Sequence, residues 1–312
     1  MTLQRQRSLP LLPSTQPERD RQQQARDRLL TRLLEAARDD ERVLAVLDYG
    51  STSEGRGDAW SDIDLALSIR PDAWDAFALG WRDWLGRCAP VLLAFTSFVD
   101  HPWAVLDTDA RPVRIDLHLY GGPPDPDLKA ALPDWPNAPT SVEAMLLFDR
   151  HGDLREAVAA KIGTSLAPAD IAAAFANVAG HFWYYVHRTW SKLHRDSAWD
   201  VRWSITFMLT GNLCALLRLE SGATERWLGS DAASGIETAV SQARLEQLSR
   251  CIPGATDDTL LPALRSIIEL GAELCASIAS EHSLDWPSEL ASTMRKLTAW
   301  GTHNRDTMSE GP

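Results

Sequence analysis

Apolar and polar positions follow two different rhythms along the 312 residues. Before about residue 150 they alternate in short runs with a period of two, which marks half-buried strands. After Asp153 the spacing turns helical. The first element is helical too: from Glu18 to about Arg38, residues Leu29, Leu30, Leu33, Leu34 and Ala37 share one stripe. The run Val43-Leu44-Ala45-Val46-Leu47 predicts a strand over about 43–49 that ends at Gly50-Ser51. In the next strand Asp62, Asp64, Ala66 and Ser68 alternate with Ile63, Leu65, Leu67 and Ile69. Pro71 opens a helix over about 71–87, since proline is well tolerated in a first helical turn. Trp74, Phe77, Ala78, Trp81 and Leu85 face its core side. Strands follow at about 91–98 and 103–107. A turn from Asp107 to Pro112 makes 103–119 a hairpin, whose second strand alternates Val113, Ile115, Leu117 and Leu119 with Arg114, Asp116, His118 and Tyr120. Gly121-Gly122-Pro123-Pro124 ends it. A proline-rich loop runs to about 140, and Met145–Phe148 reads as an edge strand. Helices are expected at about 153–160, 168–195, 198–220, 233–250, 257–280 and 287–300. The fold class is therefore α+β, with a flexible segment over 1–17, a sheet domain over 18–150, a helical bundle over 151–302, and a loose tail in the last ten residues.

Two strands carry acids in a place where strands rarely gain from them. Asp62 and Asp64 project from one face about 6.6 Å apart and repel each other. So placed, they can hold one magnesium ion, or a pair of ions about 3.5–4 Å apart. Should the strand of Asp116 neighbour that of Asp62 and Asp64, the three carboxylates form a triad suited to phosphoryl chemistry. Gly50-Ser51 precedes Asp62 by ten residues. The glycine lets the backbone approach a phosphate, while Ser51 and the N–H groups of a short following helix can hold the β- and γ-phosphates. A Gly-Ser pair alone is an ordinary turn, and the Asp-Ile-Asp that follows at this spacing favours a phosphate loop.

The strings YGSTSEGRGDAWSDIDL (49–65) and RIDLHLY (114–120) resemble the polymerase-β-type nucleotidyltransferase superfamily. Within it they are most similar to the lincosamide and aminoglycoside nucleotidyltransferases that inactivate antibiotics. The likeness is specific over about residues 43–120 and extends more weakly to AMLLFDRHGDLREAV and TWSKLHRDSAWDVR. It implies a mixed-sheet nucleotidyltransferase domain followed by a helical domain that binds substrate and nucleotide. The implied reaction moves a nucleoside monophosphate, AMP from ATP or the equivalent from another NTP, onto a hydroxyl of a small cationic acceptor and releases pyrophosphate. Asp62 and Asp64 would hold Mg²⁺, and Gly50, Ser51, Ser61, Lys192 and Arg195 would bind the nucleotide. Asp116 serves as general base in the resembled antibiotic enzymes and as a further metal ligand in polymerase-like relatives; the residues leave both roles open. Tyr-Gly-Ser and Gly-Asp-x-x-Ser-Asp lean towards a lincosamide acceptor, whereas Arg-Ile-Asp-Leu is equally at home in aminoglycoside 6-adenylyltransferases. Two rivals stand beside this reading. One is a toxin-type enzyme that adenylylates a protein, although those chains are usually much shorter. The other is a non-catalytic nucleotide-binding regulator, which would have no need of a base.

Charge and composition narrow the partners. A net charge of −12 argues against a nucleic-acid partner, which calls for a basic track, and suits a cationic small molecule. Hydrophobic residues make up 45%, enough for a substantial core. Cys88, Cys214, Cys251 and Cys275 show no metal-ligand spacing and read as reduced core thiols of a cytoplasmic protein. No apolar run is long enough to span a membrane. No Gly-x-Ser-x-Gly elbow and no Gly-Lys-Ser/Thr loop is present. His181, His187 and His194 lack zinc spacing. His118, beside Asp116, is either a substrate contact or a hydrogen-bond partner behind the site. In the helix of residues 180–195, Arg188, Lys192 and Arg195 share a face, while Trp183, His187, Trp190 and His194 share another. Either the cations meet the triphosphate across a cleft between domains and the aromatics line the acceptor pocket, or they are a solvated face beside a packed one. The family resemblance favours Lys192 and Arg195 in the first role. Most of the thirteen tryptophans are expected in the core, leaving one or two to stack on a ring.

Overall fold

The computed structural model describes residue 12 and residues 14–97, 101–164, 167–168, 170–226 and 232–300. Most of the segment 1–17, the loose tail and the end of the strand expected over 91–98 lie outside them. Backbone contacts divide the chain into two compact units between residues 165 and 166. The fold is α+β, with a six-stranded mixed sheet in the first unit and helices in the second.

The first unit opens with helix α1 (Gln16–Asp39), capped by Thr15, whose hydroxyl accepts from the Glu18 amide at 3.3 Å. Its strands are β1 (Val43–Asp48), β2 (Ile63–Ile69), β3 (Val91–Thr96), β4 (Pro102–Leu106), β5 (Val113–Tyr120) and β6 (Leu146–Asp149). The sheet order is β3-β4-β5-β2-β1-β6, in which β2 and β5 form a parallel pair and every other pairing is antiparallel. The alternation decides which face is buried. Ile63, Leu65, Leu67 and Ile69 of β2 and Val113, Ile115, Leu117 and Leu119 of β5 form one core with Leu29, Leu33 and Ala37 of α1 and with Phe77, Trp81 and Trp84 of helix α2 (Trp74–Gly86). This face carries the larger of the unit's two clusters of buried apolar side chains, and burial of apolar surface is the main cohesive term.

The opposite face is only partly polar. Ala66 and Tyr120 join Ala45 and Leu47 in a second, smaller cluster with Leu128, Leu132, Met145, Leu154 and Val158. The region expected to be plain loop up to about 140 contains a helical turn at Leu128–Ala131 and a 3-10 turn at Leu132–Asp134. Asp127 caps the first by accepting from the amides of Lys129 and Ala130. This satisfies the backbone and lets Leu128 and Leu132 be buried.

The second unit contains α3 (Ile171–Leu193), α4 (Ala198–Trp203), α5 (Thr210–Ser221), α6 (Gln242–Arg250), α7 (Leu260–His282) and α8 (Ser288–Trp300) around one large core. The helix expected over 198–220 runs as α4 and α5 joined by a π-helical segment, Ser204–Leu209. The single helix expected over 233–250 is broken. A turn at Ile236–Ala239 ends at the extended Val240, and the Ser241 hydroxyl starts α6 anew by accepting from the Arg244 amide at 3.3 Å. All four cysteines are free and buried. Burial pushes the Cys88 and Cys214 thiols up to about 11 and those of Cys251 and Cys275 to about 12, so none is a ready nucleophile. Among the described residues no helix is long and apolar enough to cross a membrane.

Candidate active site

The parallel pairing of β2 with β5 sets the site. Its register places Asp64 directly opposite Asp116, and directly paired residues project from the same face. Asp62, just ahead of β2, completes the group. One carboxylate oxygen from each of Asp62, Asp64 and Asp116 lies within 4.8 Å of the others, and all three residues are half-buried.

Two of these acids have a raised proton affinity, chiefly from burial. Asp64 is pushed up to about 7, first by burial, then by the charges of Asp116 and Asp48, with Arg26 opposing. Asp116 is also raised by burial, against the pull of Arg114. Tyr49, next to both, is raised by burial and by their charges. The Arg114 guanidinium pairs with Asp62 and lies 3.4 Å from Asp116 Oδ1 through Nε. That same Asp116 oxygen is buried and has no hydrogen-bond partner. A set of hard carboxylate oxygens, one of them buried without a hydrogen bond, fits a hard divalent cation such as Mg²⁺.

The turn after β1 sits against this group. Gly50 passes so near Asp64 that any Cβ there would overlap its carboxylate. Residues 51–55 form a run of turns rather than the short helix expected from the sequence. Buried Asp48 shapes it by accepting from the amides of Gly50 (2.9 Å) and Ser53 (3.3 Å). Among the described residues no protein group accepts from the amides of Ser51 and Thr52. The Ser51 hydroxyl lies 3.4 Å from that of Ser61, which in turn closes the tight turn 58–61 with Asp58. Arg26 of α1, only 3% exposed, ties both sides together, donating to the Asp62 carbonyl and to Thr52 Oγ1 (2.6 Å). Arg111 donates to the carbonyls of Ala59 and Ser61.

Gly50, Ser51, Ser61, Asp62, Asp64 and Asp116 thus come together in the first unit. Lys192 and Arg195 lie in the second. Lys192 pairs with Asp200 at 2.5 Å, Arg188 reaches Ser204 and Asp200, and Arg195 is exposed past the end of α3. His118 Nε2 sits 2.9 Å from Asp125 Oδ2, and its ring stacks on Tyr120 and meets His101 at a tilt, so it is held by hydrogen bonding and ring contacts.

No family model and no curated protein matches this chain. Among solved structures, the chain is similar to an aminoglycoside 6-adenyltransferase from Bacillus subtilis. The identity is 12%, the TM-score 0.41, and the match covers 89% of this chain and 97% of that one. A likeness of that strength carries no weight for activity or substrate, and the chemistry rests on the site itself.

Sequence reasoning did not find Arg26, Asp48 or Arg111, whose work is to hold the loops. Asp48 had one visible signal, a carboxylate closing an otherwise apolar strand. Arg26 and Arg111 had none, because their partners, chiefly backbone carbonyls, lie far away in sequence.

Proposed function

We propose that this protein is a nucleotidyltransferase that moves a nucleoside monophosphate, AMP from ATP, onto a hydroxyl of a small cationic acceptor. The observation that supports this most is the in-register meeting of Asp64 and Asp116, with Asp62 beside them and Gly50-Ser51 against Asp64. Asp62 and Asp64 hold Mg²⁺, which, when bound, neutralises phosphate charge at the reacting phosphorus. The Ser51 hydroxyl and the unengaged amides of Ser51 and Thr52 grip the outer phosphates, with Ser61 at the loop junction. Lys192 and Arg195 add positive charge for the triphosphate. Asp116 takes the proton of the acceptor hydroxyl, whose oxygen bonds to the α-phosphorus as the bond to pyrophosphate breaks. The acidic chain suits an aminoglycoside or a lincosamide, both cationic.

The test mixes the protein with Mg²⁺, each NTP and a panel of aminoglycosides, lincosamides and candidate proteins, and follows pyrophosphate. Release with a small hydroxylated amine supports the proposal. Labelling of a protein supports the adenylylating rival, and nucleotide binding without any release supports a regulator. Asp116→Asn should cut turnover at least a hundredfold, the usual scale of a general base, while nucleotide affinity stays near wild type. Should nucleotide affinity fall as far as in Asp62→Asn, Asp116 is a metal ligand instead.

A further inference from the structure

The face that carries the acids does not stop at β5. In the β4–β5 pairing Trp103 stands opposite Asp116, and in the β3–β4 pairing Phe95 stands opposite Trp103. One cross-strand row therefore runs Phe95, Trp103, Asp116, Asp64 over four strands. The next row runs Leu93, Val105, Arg114. Alternation agrees with the pairing, since Ala94, Ala104 and Leu106 turn to the core on the far side. Phe95 and Leu93 nevertheless remain 43% and 50% exposed, and the Phe95 and Trp103 rings meet edge to face at 5.6 Å. Apolar side chains side by side on the solvent face of two strands need a reason.

From this we infer that Trp103 and Phe95 form the acceptor subsite, a shelf for the C–H face of the ring that bears the reacting hydroxyl. The inference rests on the nucleotidyl-transfer reading for the name of its occupant. Position selects acceptor over nucleotide. The Gly50-Ser51 turn follows β1, on one side of β2, whereas the shelf lies beyond β5 on the other. Outer phosphates at the turn and a ring on the shelf leave Asp116 between them, where a hydroxyl must lose its proton. With strands about 4.8 Å apart, Trp103 is one strand from Asp116 and Phe95 two, which is the span of a single six-membered ring and its substituent. The flat indole takes ring C–H surface, and Leu93 and Val105 beside it take an alkyl or aryl substituent. The acceptor class is thus a hydroxylated saturated ring with an apolar appendage, not a ring whose every edge is charged.

The experiment has two arms on the full chain. In the first, saturation-transfer NMR uses phenyl β-D-glucopyranoside as probe. Transfer to its sugar and phenyl protons is expected with wild type, retained in Trp103→Phe and lost in Trp103→Ala and Phe95→Ala, with folding of each variant checked by circular dichroism. No transfer with wild type, or transfer indifferent to Trp103 and Phe95, overturns the shelf. In the second arm, on whichever acceptor turns over, Trp103→Ala should raise acceptor KM about tenfold and leave KM for ATP near wild type. An unchanged acceptor KM, or an equal rise for ATP, overturns the assignment, the latter because the shelf would then hold the base. Probe binding that needs Trp103 in a protein that transfers to no hydroxyl would sink the transfer reading and keep a ring-binding shelf. Turnover indifferent to Trp103 would do the reverse.

Discussion

At Asp64 a single side chain makes stability depend on pH. Its carboxyl, held at about 7 instead of 3.8, keeps its proton in the folded chain where the unfolded chain has lost it. The folded state therefore binds more protons between about pH 4 and 7, and stability falls as pH rises through that window. A shift of that size corresponds to roughly 4 kcal/mol when the window has been crossed. Urea unfolding of the metal-free protein at pH 4.5 and pH 8 should show this loss, and Asp64→Asn should show much less of it. Mg²⁺ should restore stability at pH 8 and have little effect at pH 4.5, since it binds the ionised form. A wild-type difference equal to that of Asp64→Asn would count against the raised carboxyl. The three acids themselves were legible in the sequence, because aspartates two apart on an otherwise aliphatic strand stand out. Arg114 was visible on the Asp116 face, but its pairing with Asp62 was not. That contact depends on a strand-to-strand register that no local pattern encodes.

The elements show the same division between what is local and what is not. Alternation located β1, β2, β4, β5 and β6 closely, and the hairpin of β4 with β5 followed from its short turn. The insertion of β2 between β5 and β1 did not, because parallel pairing joins segments some fifty residues apart through tertiary packing alone. The break at Val240–Ser241 escaped notice because the flanking residues keep a helical rhythm across it, and only the serine cap betrays it. Helix α1 is the case with most consequence for the site. Its stripe of leucines was plain, yet the same helix sends Arg26 into the loops on either side of Asp62. Arg26→Met keeps the apolar stem and removes the donors, leaving the Asp62 carbonyl and Thr52 hydroxyl unsatisfied. Hydrogen bonds from a charged donor contribute about 1.5–3 kcal/mol, and the urea midpoint should drop accordingly. The lost positive charge should also raise Asp64 further and weaken Mn²⁺ binding at pH 7, measured by electron paramagnetic resonance. Lower stability with unchanged Mn²⁺ affinity would mean that Arg26 supports the fold without tuning the acids.

At the scale of the whole molecule, the helical unit's part in the proposed reaction comes down to Lys192 and Arg195. Lys192 and Arg195 can be separated because only one of them is already committed. Lys192 is paired with Asp200, whose carboxyl is held below its ordinary range by Lys192 first and by Arg188. Arg195 is exposed. If both grip the triphosphate, Lys192→Met and Arg195→Met each raise KM for ATP about tenfold, roughly 1.4 kcal/mol apiece. Asp200→Asn, which releases Lys192, then leaves that constant unchanged or lowers it. If Lys192 serves only to join α3 to α4, Lys192→Met and Asp200→Asn cost the same small amount of stability, as expected for a pair at the surface, and KM for ATP does not move. Lys192→Met decides the matter, because KM for ATP rises in the first case and stays unchanged in the second, where only stability at the helix junction is lost. The proposed transfer reaction predicts the first, since an acidic chain that must hold a triphosphate gains from every added cation.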